Sequence, residues 1–450
     1  METIRAASEV QSAGKNKLLK ILGIGFGLAI TIGAVIGGGA LRMPGVVAGH
    51  LGNEWLIIGI WIFGGIWALM SANIVAEFGT MLPEAGGPYV YLHRAYGDFV
   101  GFAGGLNDFI ISICAVAYLS INVGEFSAAL FPSLAGSQNI IAVITILTLG
   151  FLNWVGLREG DFTQKLTSLI KVAGFFFVIV ACFVWGGNNS NPSWESTVKF
   201  ENSFALYAAL MLSFQVITEA YAGWNSVVYF AEENTNPSQN VPRSMFGGIL
   251  IVMAIYVLLN AALLYIMPVS QIAASKTPGA DAVSLIFGDW GGKLTLAVAL
   301  VATLSVVNAL ILYSPRVPFA MSRDGLLPPQ LMKVNKGGTP SIALLLLITF
   351  SIIAALSGTY ETFLAMAAFF SLVGDSFVFL ALFILRRREP DLPRPFRAFG
   401  YPFLPAIVLF GAFAFLIGYV ISNTMNSLYC IGILLLLYPA FLIVRRLLKN

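Results

Sequence analysis

Charge is scarce in this sequence. Asp, Glu, Lys and Arg make up 10% of its 450 residues, against about 25% in ordinary soluble domains. Histidine is scarcer still, with only His50 and His93. That leaves no material for a multi-histidine metal or haem site, and no metal or cofactor is expected. The three cysteines, Cys114, Cys182 and Cys430, each lie in an apolar run and form no CxxC pair. They read as buried structural thiols. The net charge of +3 is small and gives nucleic acid no footprint. No segment has the size and polarity of a soluble domain.

Apolar residues are abundant, at 58% of the chain. A soluble fold of this size has nowhere to hide so much apolar surface, whereas lipid solvates it directly. The expected fold class is therefore an all-α polytopic membrane protein. About 20 apolar residues cross ~30 Å of hydrocarbon. Twelve such runs are present, at 21–44, 54–78, 99–131, 139–156, 164–186, 203–231, 246–267, 292–321, 341–356, 361–386, 402–422 and 427–445. Arg5, Lys15, Lys17 and Lys20 precede the first run, which reads as a retained helix rather than a cleaved signal.

An even number of spans puts both termini on one side. Of the 25 Lys and Arg, Arg42, Lys199, Lys276 and Lys293 fall on the opposite side and Lys171 falls inside a span, leaving 20 on the side of the termini. The positive-inside rule makes that side cytoplasmic. Asn188-Asn189-Ser190 fits a glycosylation sequon on the outer side, a match too short to carry weight.

The first run contains Gly37-Gly38-Gly39 at its middle. Three glycines inside a helix cost about 1 kcal/mol each relative to Ala. Close helix packing through small residues is one explanation. An unwound segment is the sharper one, and opened backbone survives in a membrane only where it is buried in protein or lines a cavity. The sixth run has a counterpart, Ala220-Tyr221-Ala222-Gly223-Trp224-Asn225, preceded by the acid Glu219. Interrupted helices at corresponding positions of two halves point to a transporter site. Free N–H groups near Gly38 favour an anion. Orphaned carbonyls near Val35, Ile36, Glu219 and Ala222 favour an ammonium group. One anion pole beside one cation pole suits an α-amino acid.

Further motifs follow in order. Pro83-Glu84-Ala85-Gly86-Gly87-Pro88-Tyr89 comes after the second run, and Glu232-Glu233-Asn234-Thr235-Asn236-Pro237 with Val241-Pro242-Arg243 after the sixth. Pro315-Arg316 and Ser322-Arg323-Asp324-Gly325 follow the eighth, and Arg386-Arg387-Arg388-Glu389-Pro390-Asp391 the tenth. With Val35-Ile36-Gly37-Gly38-Gly39, these pieces resemble the amino acid–polyamine–organocation superfamily of permeases, closest to its sodium-independent amino acid transporter branches. The likeness covers nearly the whole length.

The resemblance implies a LeuT-type fold of two inverted five-helix repeats, 21–186 and 203–386. An N-terminal cytoplasmic segment, 1–20, would precede them, and peripheral helices over 402–445 would follow. It implies a secondary transporter in the cytoplasmic membrane that works by alternating access. Substrate would sit between the broken spans, at Val35, Ile36, Gly37, Gly38, Gly39, Glu219, Ala220, Ala222 and Gly223, with Tyr118 and Asn308 as further contacts. The family commonly has Ser where Gly38 stands, so a hydroxyl is lost here. Related transporters often have an aromatic gate where Glu219 stands, which leaves Tyr221 or Trp224 to occlude the site. Lys171 looks like the substitute for a sodium ion, its ammonium bracing the carbonyls around Val35 and Ile36. The alternative is a lysine snorkelling to the interface.

Glu219 has three readings: partner of a cationic substrate, carrier of a coupled proton, or structural hydrogen-bonding group. Asp375 reads as packing partner or second proton site. Asp108 and Glu125 read as helix-end groups, and Glu77 as interfacial. The expected function is sodium-independent amino acid transport by proton symport or exchange. The alternative is a polyamine or cationic amine carrier. Enzyme, receptor and channel find no support: there is no nucleophile–base pair, signalling domain or polar pore to carry them.

Overall fold

The computed structural model describes residues 18–188 and 198–449. Arg5, Lys15 and Lys17 of the expected N-terminal segment lie outside the described residues, as do Asn189 and Ser190 of the sequon-like match. Among the described residues the chain is helical, with two isolated bridges and no sheet.

Ten described helices are long and apolar enough to cross a membrane. In order they are Glu54–Met81, Asp98–Leu130, Gln138–Val155, Leu157–Trp185, Ser203–Ala220, Pro237–Ile266, Asp289–Tyr313 with its continuation Arg316–Arg323, Tyr360–Arg388, Phe403–Ser422 and Thr424–Lys449. The ninth span is the shorter Ser341–Ser357, and the first is broken into pieces. The protein is an all-α polytopic membrane protein of about twelve spans.

Boundaries differ from the sequence reading where charge meets helix. Span five begins at Leu157 rather than near 164, and span seven at Pro237 rather than near 246. Their first turns carry Arg158, Lys165 and Arg243, so a hydropathy reading stops where the apolar part stops. The segment 268–291 contains the short helices Val269–Ala274 and Pro278–Phe287, and the loop after span two contains Pro88–Tyr96.

Span one runs as a helix from Ile24 to Val35 and stops. Ile36 and Gly37 are extended, with φ/ψ of −77°/102° and −110°/179°. The chain resumes as a 3-10 turn, Gly38–Leu41, and a helix, Met43–Leu51. The unwound reading therefore holds, and the span reaches seven residues past the expected end at 44. Span six stops at Ala220, turns through 221–225 and continues as a 3-10 segment, Ser226–Phe230. The start of span one and the end of span six are clasped together. The Leu22 N–H donates to the Glu233 carbonyl at 3.0 Å, and the Thr235 N–H donates to the Leu22 carbonyl at 2.8 Å.

The Lys/Arg-rich end is held by buried ion pairs. Arg316 grips Glu233 with two bonds of 2.7 and 2.9 Å, both side chains essentially unexposed. Its guanidinium lies 4.4 Å from the Phe230 ring centroid. Glu77 corrects the sequence reading: it is fully buried rather than interfacial. It accepts from Arg386 Nε at 3.0 Å, Arg394 Nε at 3.0 Å and the Ala398 N–H at 2.6 Å. This carboxylate ties span two to the segment that leads into span eleven.

A buried carboxylate shared by two guanidinium groups is costly to delete, because its partners stay buried and charged, a loss of about 3–5 kcal/mol. Glu77→Ala is expected to lower the apparent Tm in detergent well below that of an exposed control such as Glu159→Ala, read by size-exclusion retention after heating. Equal melting of the two variants would refute the structural role of Glu77.

Candidate functional site

The two breaks face one another, and around them lies a cavity of about 220 Å³. That exceeds the ~30 Å³ share of a single water several times over. The open backbone of both spans supplies part of its wall. Among the described residues, the Gly37 and Gly39 N–H groups donate to no acceptor, and both residues line the cavity. The carbonyls of Ala34, Tyr221 and Ala222 accept no hydrogen bond, and these residues line it too. The Gly223, Trp224 and Asn225 N–H groups of span six also donate to no acceptor among the described residues, so both broken spans bring open donors and acceptors to the cavity.

Several expected contacts are already engaged within the protein. The Gly38 N–H donates to Thr303 Oγ1 at 3.1 Å, and Gly38 is absent from the cavity wall. A Cβ at this position would collide with Thr303 Oγ1 and the Phe126 ring and come within 2.9 Å of the Ala299 carbonyl. A serine does not fit here without movement, and the Thr303 hydroxyl that takes the Gly38 N–H itself donates to Ala299 O at 2.9 Å. Sequence reasoning missed Thr303, since nothing in a span's pattern says which hydroxyl reaches a neighbouring helix.

Carbonyls expected to meet an ammonium group also have partners. Val35 O accepts from Tyr256 Oη at 3.2 Å, and the same hydroxyl lies 2.9 Å from Ala220 O. Glu219 O accepts the Ala222 N–H at 3.2 Å. Ile36 O is taken by Lys171.

Lys171 is completely buried, so it does not snorkel. Its Nζ donates to Gly33 O and Ile36 O, each at 2.7 Å. The expected pair was Val35 and Ile36. Gly33 is used because the last helical turn aims its carbonyl, stripped of the usual Gly37 donor, towards span five. Gln164, two turns earlier on the same helix, packs over Gly33, where any Cβ would strike its side-chain nitrogen.

Asn308 is a correction. It lies outside the cavity wall, in a buried amide chain across three helices. Asn153 Nδ2 donates to Asn308 Oδ1 at 2.8 Å, and Asn308 Nδ2 donates to Gln164 Oε1 at 2.9 Å. An amide bonded at both ends ties the three helices together, and its place off the cavity wall keeps it from a ligand there.

Of the other expected contacts, Tyr118, Glu219, Ala220, Ala222, Gly223 and Trp224 line the cavity. Tyr118 packs edge-on against Tyr360, with centroids 5.4 Å apart. Tyr221 lines it as well, yet its hydroxyl is bonded to the Trp61 carbonyl at 3.0 Å. Glu219 also borders a second space of about 350 Å³, whose wall includes Arg42 and Glu361. It therefore stands at the junction of the cavity and a second, adjoining space.

Asp108 overturns another reading. It lies well inside helix Asp98–Leu130, lines the cavity, and accepts from Tyr229 Oη at 2.9 Å through both oxygens. Asp375 lines the same wall. Glu125 behaves as expected of a helix-end group, half exposed and 3.6 Å from Arg42.

Similarity to known proteins bears on what such a cavity serves. The profile of the amino acid permease family matches residues 27–443. The chain belongs to the amino acid permease family. It is 32% identical over 416 residues to the serine/threonine exchanger SteT of Bacillus subtilis, covering 91% of this chain and 93% of that protein. It is 26% identical to the mouse b(0,+)-type amino acid transporter 1, covering 92% and 85% of the two chains. It is 26% identical to the mouse Asc-type amino acid transporter 1, covering 93% and 80%. The permease is thus a multi-pass membrane protein that transports amino acids, and not an enzyme.

Gly223 allows the breaks to approach. Its φ is +96°, and a Cβ there would lie 2.8 Å from the Ala34 carbonyl. Backbone strain of this kind costs about 1–3 kcal/mol, and the clash adds to it. Gly223→Ala is expected to reduce uptake at least roughly tenfold at equal abundance in the membrane, given 1.4 kcal/mol per decade. Wild-type uptake by the alanine variant would show that the close approach is dispensable.

Proposed function

We infer that the permease moves α-amino acids across the cell membrane by alternating access, without sodium, in exchange for another amino acid. The observation that carries this is the Lys171 ammonium bonded to two carbonyls at the break of span one. A fixed charge occupying that position makes a bound cation unnecessary for keeping the break open. The substrate carboxylate would take the Gly37 and Gly39 N–H groups, with the dipole of the outer half-helix favouring it. The α-ammonium would take the carbonyls of Ala34, Tyr221 and Ala222. Trp224 and Tyr118 would close over the substrate.

Likeness to a serine/threonine exchanger supports exchange. Interrupted spans one and six, five spans apart, support two inverted repeats over 21–186 and 203–386. The bias of 20 among 25 Lys and Arg, after setting aside Arg42, Lys171, Lys199, Lys276 and Lys293, supports cytoplasmic termini. The clasp between Leu22 and the segment after span six supports joint motion of the two inner half-helices.

Proteoliposomes loaded with unlabelled amino acid, or empty, test this with a panel of labelled amino acids. Uptake is expected to need internal amino acid and to ignore a sodium gradient. Lys171→Ala is expected to lose most uptake, because Gly33 and Ile36 carbonyls are left buried without donors, at about 1–3 kcal/mol each. A sodium requirement in the wild type would refute the role given to Lys171. Uptake into empty vesicles driven by a proton gradient would refute exchange.

A further inference from the structure

The cavity wall contains three acids, Asp108, Glu219 and Asp375, and among the described residues no Lys, Arg or His. They come from spans three, six and ten. Asp375 lies near enough to act electrostatically on both Asp108 and Glu219. No described ion pair involves any of the three. Two fully buried acids elsewhere are neutralised: Glu77 by two arginines and Glu233 by one.

A second observation is independent of charge. Asn107 and Asn122 also line this cavity, 4% and 1% exposed, and the buried Oδ1 of each accepts no hydrogen bond within the described protein. The Asn107 Nδ2 is fixed by donation to Phe370 O at 3.0 Å, which holds its oxygen in place. Buried acceptors left without donors are costly. Protons on the carboxylates would remove the charge and supply one O–H donor each, fixed where the carboxyl stands. A ligand carrying N–H donors on a positive charge answers both deficits.

We propose that the permease selects α-amino acids whose side chain bears an ammonium or guanidinium group, recognised by Asp108 and Asp375 with Asn107, and by Glu219 on entry from the adjoining space. This rests on the reading that the breaks of spans one and six hold the substrate's carboxylate and α-ammonium. Those poles are common to all amino acids. The acid-lined remainder of the cavity then meets the side chain, and Tyr229, by donating to Asp108, orients that carboxylate.

The test is competition against tritiated L-lysine binding to the purified full-length protein, by L-norleucine, which has the same chain length without the amine, by L-arginine, and by pentane-1,5-diamine, which lacks the carboxylate. Lysine and arginine are expected to bind about ten- to a hundredfold tighter than norleucine, as a charge-assisted hydrogen bond to a buried acid supports. Asp375→Asn and Asp108→Asn are each expected to shrink the lysine-to-norleucine ratio at least roughly fivefold, a ratio that loss of folded protein alone does not change. Equal affinity for lysine and norleucine in the wild type overturns the proposal and leaves the amino acid site intact. A ratio unchanged in both variants also overturns it. Diamine binding as tight as lysine overturns the underlying reading, because the carboxylate pole would then contribute nothing.

Discussion

An ammonium buried beside a broken helix is the contact on which the site depends. When span one unwinds at Ile36 and Gly37, the carbonyls of the last turn lose their intrahelical donors. In a water-free interior each would weigh against the open form. Lys171 supplies donors to two of them from the neighbouring helix, and Tyr256 and Thr303 take up Val35 O and the Gly38 N–H. The break is therefore satisfied by side chains wherever it turns away from the cavity. It is left open where Ala34, Gly37 and Gly39 of span one, with the turn over 221–225 of span six, line the cavity. The same accounting that stabilises the interruption selects which backbone groups remain for a ligand.

Charge follows the opposite logic at the two ends of the molecule. Towards the Lys/Arg-rich end, carboxylates are buried only with guanidinium partners, and the result is rigid cross-linking of spans. In the cavity, carboxylates stand without charged partners among the described residues. A buried charge without a partner is tolerated where something that comes and goes can complete it.

Much of this was legible in the sequence. The twelve spans follow from hydropathy alone, and the positions of both breaks follow from Gly37–Gly39 and from Gly223 beside Glu219. The placement of Lys171 was foreseen to within one carbonyl. What was not legible depends on rotation about helix axes. Asp108 read as a helix-end group although its run was expected from 99, and only the rotation of the helix, which turns it to the cavity, decides its role. Asn308 has the composition of a ligand contact, and only its two amide neighbours, distant in sequence, reveal that it is occupied. Glu77 looked interfacial because its partners, Arg386 and Arg394, come more than three hundred residues later.

The clasp at Leu22 has a different kind of consequence. Two of its bonds run from peptide to peptide, and the Thr235 hydroxyl adds a third to the Leu22 carbonyl at 3.2 Å. The peptide part does not depend on side-chain identity, except for proline at 22 or 235, which removes an N–H. A mechanical linkage written in the main chain can thus persist while the surrounding sequence drifts. The coupling of the two clasped half-helices is accordingly a property that residue identity at these positions will under-report.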